Sequence, residues 1–310
     1  MPAEGIHLTA LREATAAPRL DTQVRRRLVR RNDAARLGAL VPDLPYFHRY
    51  AVEVVRYLAR LPAQPSPWGA AIHDGGAIAL LGGLLAVARR ERDELLGAIA
   101  LGVASHCAID RAMHPLVNAL ARRHPDGRSH DAAHREVEKF QSICFHEQYL
   151  GRDTMGTSAI TGYLTIHLAG QLARQLEERL SRQLRAAWAA LGGAPGAGEL
   201  AGFARGYRHH AWLLGTPPGK RIAPPAAKEA ARPRYLRGAW GTFEALLEDA
   251  IAASVPVINA AGAVLEADER DAEADAAFAA LARLLPAGTI DPQGEALDLD
   301  RPIAISLPTG

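Results

Sequence analysis

The 310-residue chain is predicted to fold as an all-α protein, a multi-helix bundle, and three observations carry that expectation. Alanine, leucine and arginine dominate while β-branched residues are sparse, a mix of high helix propensity. Apolar residues recur with helical periodicity through most of the chain, interrupted by proline- and glycine-rich breaks. Histidines and carboxylates stand four residues apart on two successive helical segments, which puts them on one face of each.

Taken in order, a short ordered arm with a helix start near His7 precedes a helix from Asp21 to about Leu40. The segment "VPDLPYF" is a turn, with Asp43 bracketed by Pro42 and Pro45. Tyr46 to Leu61 is predicted helical and "PAQPSP" ends it. Helices follow from about Pro67 to Arg90 and from about Arg92 to Arg123. "HPDGRS" turns the chain, and Ser129 can cap a helix running to about Tyr149. One long helix is expected from Thr157 to about Leu191, ended by "GGAPGAG", and another from Glu199 to Leu214. Residues 214–235 read as a long irregular loop. Helix resumes from Leu236 to about Leu285, in two pieces broken near Pro256, and an extended tail closes the chain. The expected organisation is a metal-binding helical core over residues 1–195, with residues 196–310 as a helical extension packed on it.

A hydrophobic fraction of 48% with 23% charged residues excludes a disordered chain. A net charge of +2 is too small to imply a stable nucleic-acid partner, and Trp68, Trp212 and Trp240 are expected to pack, since no basic residues interleave them. The arginine cluster from Arg25 to Arg31 reads as a solvated helix face that leaves membrane contact at most peripheral. Cys107 and Cys144 are expected as small buried residues in a reducing compartment. The start, Met-Pro-Ala-Glu-Gly-Ile-His, lacks the apolar run of a secretory signal, so a cytoplasmic location is expected. The apolar runs Trp68 to Ala88 and Leu95 to Ile109 contain histidines and read as buried core helices.

Seven of the twelve histidines fall between His73 and His146. His106, Asp110 and His114 share one helical face, and His130, His134 and Glu138 repeat the step on the next helix. Imidazoles and carboxylates are suitable ligands for zinc, whereas burying them unpaired costs several kcal/mol. Eight helical residues rise about 12 Å, and zinc ligands lie only about 2.0–2.2 Å from the metal. His106 and His114 therefore do not share an ion easily, while Asp110 could bridge to either side. The spacing favours a cluster over a single structural site. His73, beside Asp74, and Asp43 are further candidates from elsewhere in the chain.

The motifs "LGALVPDLPYF", "HDGG", "GVASHCAIDRAMHP" and "HREVE", in that order, resemble those of the zinc-dependent phospholipase C family, over roughly residues 5 to 150. That family shares its fold with fungal single-strand nucleases. The resemblance implies a helical bundle of that type, two or three zinc ions, and hydrolysis of a phosphoester, with phospholipid among the substrates, by a metal-bound hydroxide. Carried over by motif, His73, His106 and Asp110 resemble the ligands of one ion, with Asp43 beside it as ligand or catalytic base. His114, His134 and Glu138 resemble those of a second, and His7 with the bridging Asp110 part of a third.

The chain departs from the family pattern at two places, and in a third respect: residues beyond about 150 carry no motif of the family, so the identity of the substrate is not carried over. Secreted members use a processed N-terminal tryptophan as a ligand, which this chain does not show, and the spacing to "MHP" is shorter, so His130 could replace or supplement His114.

Among the other histidines, His124 is expected in an exposed turn, His167 in an apolar core, and His48 and His146 as mainly structural. The segment "RGYRHH", with Arg205, Arg208, His209 and His210, reads either as an ordinary basic surface or, together with Lys220 and Arg221, as a phosphate-binding mouth, with Arg208, His209 and Lys220 as the candidates. Rival readings are a nuclease or phosphomonoesterase on the same scaffold, a di-iron helical enzyme, and a non-catalytic scaffold held together by metal.

Overall fold

A computed structural model describes residues 4–59, 61, 64–127, 129–267, 271–290 and 297–305. Parts of the expected N-terminal arm (1–3), of the breaks at 62–63 and 128, and of the tail (291–296 and 306–310) lie outside these residues. Among the described residues the fold is helical throughout, apart from a minimal hairpin pairing Arg237–Gly238 with Gly241–Thr242.

The centre of the bundle is α7, Glu94–Arg122, the helix that carries His106, Asp110 and His114. Asp93 caps it by accepting from the backbone N–H groups of Leu95 and Leu96 at 2.9 and 3.0 Å. Around it pack α1 (Glu4–Ala16), α2 (Thr22–Arg30), α3 (Asn32–Gly38), α6 (Ala77–Arg90), α8 (His130–Tyr149) and α14 (Phe243–Glu266). The α3–α7 crossing is made backbone to backbone. A Cβ on Gly38 would stand 2.1 Å from the Ile99 carbonyl oxygen, and one on Gly102 2.1 Å from that of Ala35. Glycine at both positions brings the end of α3, and the Asp43 turn after it, against the middle of α7.

The chain between α3 and α6 is irregular where the site needs it. Asp43 leads into a 3-10 turn, Leu44–Phe47, followed by α4, Tyr50–Leu58. Next, α5 (Pro67–Ala71) joins α6 through a π-turn, Ile72–Gly76, in which Gly75 takes a φ of 139°. His73 sits in this π-turn.

Further along, α9 (Ser158–Leu164), α10 (His167–Ala173) and α11 (Glu178–Trp188) replace the single helix expected from Thr157 to Leu191. The chain breaks at Thr165–Ile166, both extended, and at Gln175, whose φ is 58°. After α12 (Ala197–Leu214), the expected loop over 214–235 is instead a 3-10 turn, Pro217–Ile222, and α13, Pro225–Tyr235. Pro217, Pro218 and Pro225 occupy the first helical turns, where a missing N–H removes no internal bond, while Pro233 lies inside α13. Pro256 does not break α14, and the next helix, α15, is Asp271–Leu284. The arm, too, is a full helix, α1, and the helix expected from Asp21 to Leu40 is two, separated at Arg31.

One hydrophobic core runs from Ile6 to Leu299, so residues beyond 195 pack on those before them. Among the described residues three stretches, Pro67–Arg90, Glu94–Arg122 and Phe243–Glu266, are long and apolar enough to cross a membrane. Their apolar windows are 44%, 89% and 50% buried inside the fold, so α7 at least is a core helix. Both cysteines are free and buried, and burial pushes their thiols up.

Candidate metal centre

Five elements bring their donors to one place. His7 comes from α1, Asp43 from the turn after α3, His73 from the π-turn, His106, Asp110 and His114 from α7, and His134 and Glu138 from α8. His106 is fully buried and the others are buried or nearly so.

Each of three histidines is oriented by a bond at Nδ1. His106 Nδ1 donates to the Ala39 carbonyl at 2.9 Å, His73 Nδ1 to the Gly69 carbonyl at 2.9 Å, and His134 Nδ1 to Asn118 Oδ1 at 2.9 Å. That fixes the tautomer and leaves the Nε2 lone pair facing the centre, as in metal-ligating histidines.

The carboxylates lie among these nitrogens. Asp110 Oδ1 is 3.2 Å from His7 Nε2 and 3.7 Å from His114 Nε2, and its Oδ2 is 2.9 Å from His106 Nε2 and 3.6 Å from His73 Nε2. Asp43 Oδ1 is 3.3 Å from His73 Nε2. Glu138 Oε1 is 3.5 Å from His114 Nε2 and 3.4 Å from His134 Nε2. The His7 and His106 rings stack at 4.0 Å.

These separations test the fit to a metal. Ligands at about 2.0–2.2 Å in a tetrahedron stand about 3.4 Å from one another. Most of the spacings cluster there, longer than the roughly 2.7–2.9 Å of a charge-assisted hydrogen bond. The shortest, His106 Nε2 to Asp110 Oδ2, lacks hydrogen-bond geometry. That is expected of two lone-pair donors sharing a third atom. Among the described residues three groups have donor atoms close enough to hold an ion: His7–His106–Asp110, Asp43–His73–His106 and His114–His134–Glu138.

Charge follows from the same packing. Burial alone would raise Asp110, but His106, His114 and His7 hold its carboxyl well below the usual range. Glu138 is likewise held well below by His134 and His114 against its burial, and Asp43 is lowered by His106, His73 and His7. Burial would lower His73 and His7, but the facing carboxylates raise both, His73 to about 10.

A cavity of about 400 Å³ opens onto this cluster. His7, Asp43, His73, Asp110, His114, His134 and Glu138 line it, with Glu4, Tyr46, Asp74, His130 and Arg135 around them.

Several expected residues fall elsewhere. His130 lines the cavity but joins none of the donor groups, because its Nε2 donates to Asn118 Oδ1 at 2.9 Å, and His114, which it could replace or supplement, faces Glu138 directly. Arg208 and His209 lie on the exposed face of α12, and Lys220 is exposed beside Gly156, so none of the three lines the cavity. His124 is paired with Glu136 at 3.3 Å with its side chain covered, while His167 and Trp212 are exposed rather than packed. His146 is structural as expected, its ring held by the Ser142 carbonyl and the Thr9 hydroxyl.

Asn118 and Glu4 carry no signal that the sequence reading uses, and His210 stands there only as one candidate of a basic segment. Asn118, fully buried, extends the four-residue step of His106, Asp110 and His114 by one more turn. Glu4 lies one turn before His7 on α1, 2% exposed, with Oε1 3.1 Å from His210 Nε2. His210, not His209, is the inward histidine, and it follows Phe203 and Tyr207 in helical phase.

The bundle and its buried cluster define a class: all-helical proteins that can gather divalent ions between histidines and carboxylates at the base of a cleft. Residues 6–190 match the family model described as zinc dependent phospholipase C, and the chain belongs to that family. No curated protein and no solved structure matches the chain.

Proposed function

We propose that the protein hydrolyses phosphoesters, with phospholipids as the substrate class, using zinc held by His7, Asp43, His73, His106, Asp110, His114, His134 and Glu138. The observation that carries this reading is the set of donors at tetrahedral spacing on the floor of an open cavity. A purely structural site would close over its ions, whereas here Asp43, His73 and Glu138 face a space large enough for a ligand. Because His106 Nδ1 is committed to Ala39, its Nε2 serves one ion only. The donor set therefore supports one ion in the Asp43–His73–His106 corner and one in the His114–His134–Glu138 corner. Asp110 and His7 remain to bridge or to hold another.

When bound, zinc supplies positive charge for a phosphoryl oxygen and lowers the pKa of water from about 15.7 to near 7. The chain's own residues do the rest. Asp43 is ionised and reaches the cavity, so its carboxylate can accept and orient a proton there. Among the described residues lining the cavity, Arg135 is the one basic side chain besides the histidines, and it replaces Arg208 and Lys220 as the candidate for an anionic oxygen. A reducing, cytoplasmic setting belongs to the same proposal.

The test is elemental analysis of the purified protein, followed by assays on a phosphocholine diester, single-stranded DNA and a phosphomonoester, each with and without chelator. Chelator-sensitive cleavage of the lipid-like diester alone is expected. Cleavage of DNA in its place would move the protein to a nuclease, and a metal-free, inactive protein would remove the reading.

A further inference from the structure

His73 stands on an interrupted helix, and a segment outside that helix holds its backbone. The left-handed φ of Gly75 interrupts the helix two residues after it. The His73 carbonyl then takes two hydrogen bonds from a segment 216 residues further on: the Thr289 hydroxyl donates at 2.7 Å and the Ile290 backbone N–H at 3.2 Å.

That segment, residues 285–290, follows α15 and lies outside the stretch that matches the family. It is anchored at both ends by Leu285 and Ile290, each fully buried. Between them Gly288, at φ 133°, lies against Gly75, about 3.8 Å from where a Cβ there would stand. It also grips the other side of the centre. Arg111, which follows Asp110 on α7, donates from one guanidinium nitrogen to the Pro286 carbonyl at 2.6 Å. One short strap thus joins the turn that carries His73 to the helix turn that carries Asp110. Those two side chains stand 3.6 Å apart in the centre.

We infer that residues 285–290 are a clamp that sets the position of His73 against Asp110 and so tunes the affinity of the Asp43–His73–His106 corner for its ion, with Thr289 and Arg111 as positioning residues. The inference rests on the metal-centre reading above. It follows from the geometry, because the regular ladder is interrupted at Gly75 just after His73 and the strap ties down the His73 carbonyl from outside, and outer partners that orient a ligand typically change affinity about ten- to a hundred-fold. The opposite corner, on the uninterrupted helices α7 and α8, has no such need.

The test compares wild type with Thr289→Val and Thr289→Ser, titrating zinc against a chromophoric chelator and recording the melting temperature of the metal-free protein. Thr289→Val keeps the shape and the Ile290 bond but removes the hydroxyl. It is expected to weaken one class of zinc site about ten-fold and leave the other unchanged, and Thr289→Ser restores the wild-type value. Equal affinities in wild type and Thr289→Val, or a uniform weakening of every site alongside a lower melting temperature, would show a merely structural tie and overturn the clamp. A wild-type protein that takes up no zinc overturns both the clamp and the reading beneath it, which separates the two failures.

Discussion

The two corners of the centre are built in different ways. His114, His134 and Glu138 come from the facing turns of two long, regular helices, and Asn118 alone orients both His134 and His130. Asp43, His73 and His106 come from a turn, a π-turn and the middle of α7. They meet because Gly38 and Gly102 let α3 and α7 touch and because the strap at 285–290 holds the π-turn. Helical periodicity suffices to make the first corner. The second exists only once the tertiary structure is complete, so its geometry should respond to changes far from it in sequence.

Asp110 lies between the two corners, 2.9 Å from His106 and 3.6 Å from His73 on one side and 3.7 Å from His114 on the other, and its removal is the largest break available. Asp110→Asn keeps the shape but removes the charge facing four imidazoles. Activity is expected to fall more than about a hundred-fold, beyond the range for an outer partner, and zinc content should drop in both corners. Elemental analysis beside the phosphoester assay checks this. Full metal content in the variant would remove the bridging role.

Titration of the metal-free protein separates ion pairs from ligands. His73 stands at about 10 against an ordinary 6.5, so its contribution to stability is complete below about pH 6.5 and disappears as pH rises through about 10. Asp110 and Glu138, held low, contribute in the opposite sense: their share is present above the ordinary carboxylate range and is lost in strong acid. Zinc binds neutral imidazole, so the loaded protein has no proton to lose from His73. Between pH 7 and 10 the metal-free protein should therefore lose stability on the order of a few kcal/mol, while the loaded protein holds its melting temperature. Parallel melting curves for the two forms across that range would count against the pairing described here.

The contrast between the corners also governs what could be read from the sequence. His106, Asp110, His114, His134 and Glu138 were legible because four-residue spacing on a helix fixes a common face without reference to the rest of the fold. Asn118 continues that spacing and was missed because an amide is not itself a favoured zinc ligand. Asp43 and His73 are candidates by residue type alone, with no spacing that ties them to the helical stripes; the family's motif order assigns them to a site and supplies His7. Glu4 is hidden for a different reason, and His210 is legible only as one candidate of a basic segment and not as the inward one. Their neighbours read as an arm and a basic surface, although His210 follows Phe203 and Tyr207 on the apolar face of α12.

Breaks at Thr165–Ile166 and Gln175 carry neither proline nor glycine, so the helix expected across them had no visible end. Conversely, the prolines at 217, 218 and 225 were read as loop when they start helices, and Pro256 lies within one that continues.

A change confined to the regular corner sharpens the comparison. Asn118→Ala removes the acceptor shared by His134 and His130 while leaving the strap and the π-turn untouched. Zinc should weaken about ten- to a hundred-fold in the His114–His134–Glu138 corner. The other class of site should be unaffected, the mirror image of Thr289→Val.

The smallest effect is expected at the start of α8. Ser129 accepts from the Ala132 N–H at 3.4 Å, a long bond for a cap, so Ser129→Ala should cost no more than about 0.5–1 kcal/mol of stability, the low end for such a loss. His134 lies only five residues further on, yet Glu138, more than two turns inside, and the Asn118 bond from α7 hold it independently of the cap. Fraying of the first turn therefore should not reach the donors. Chemical denaturation should show the small loss, and chelator competition should show unchanged zinc affinity. A variant that lost zinc as well would mean that α8 depends on its end for order, and the regular corner would then be no more self-sufficient than the irregular one.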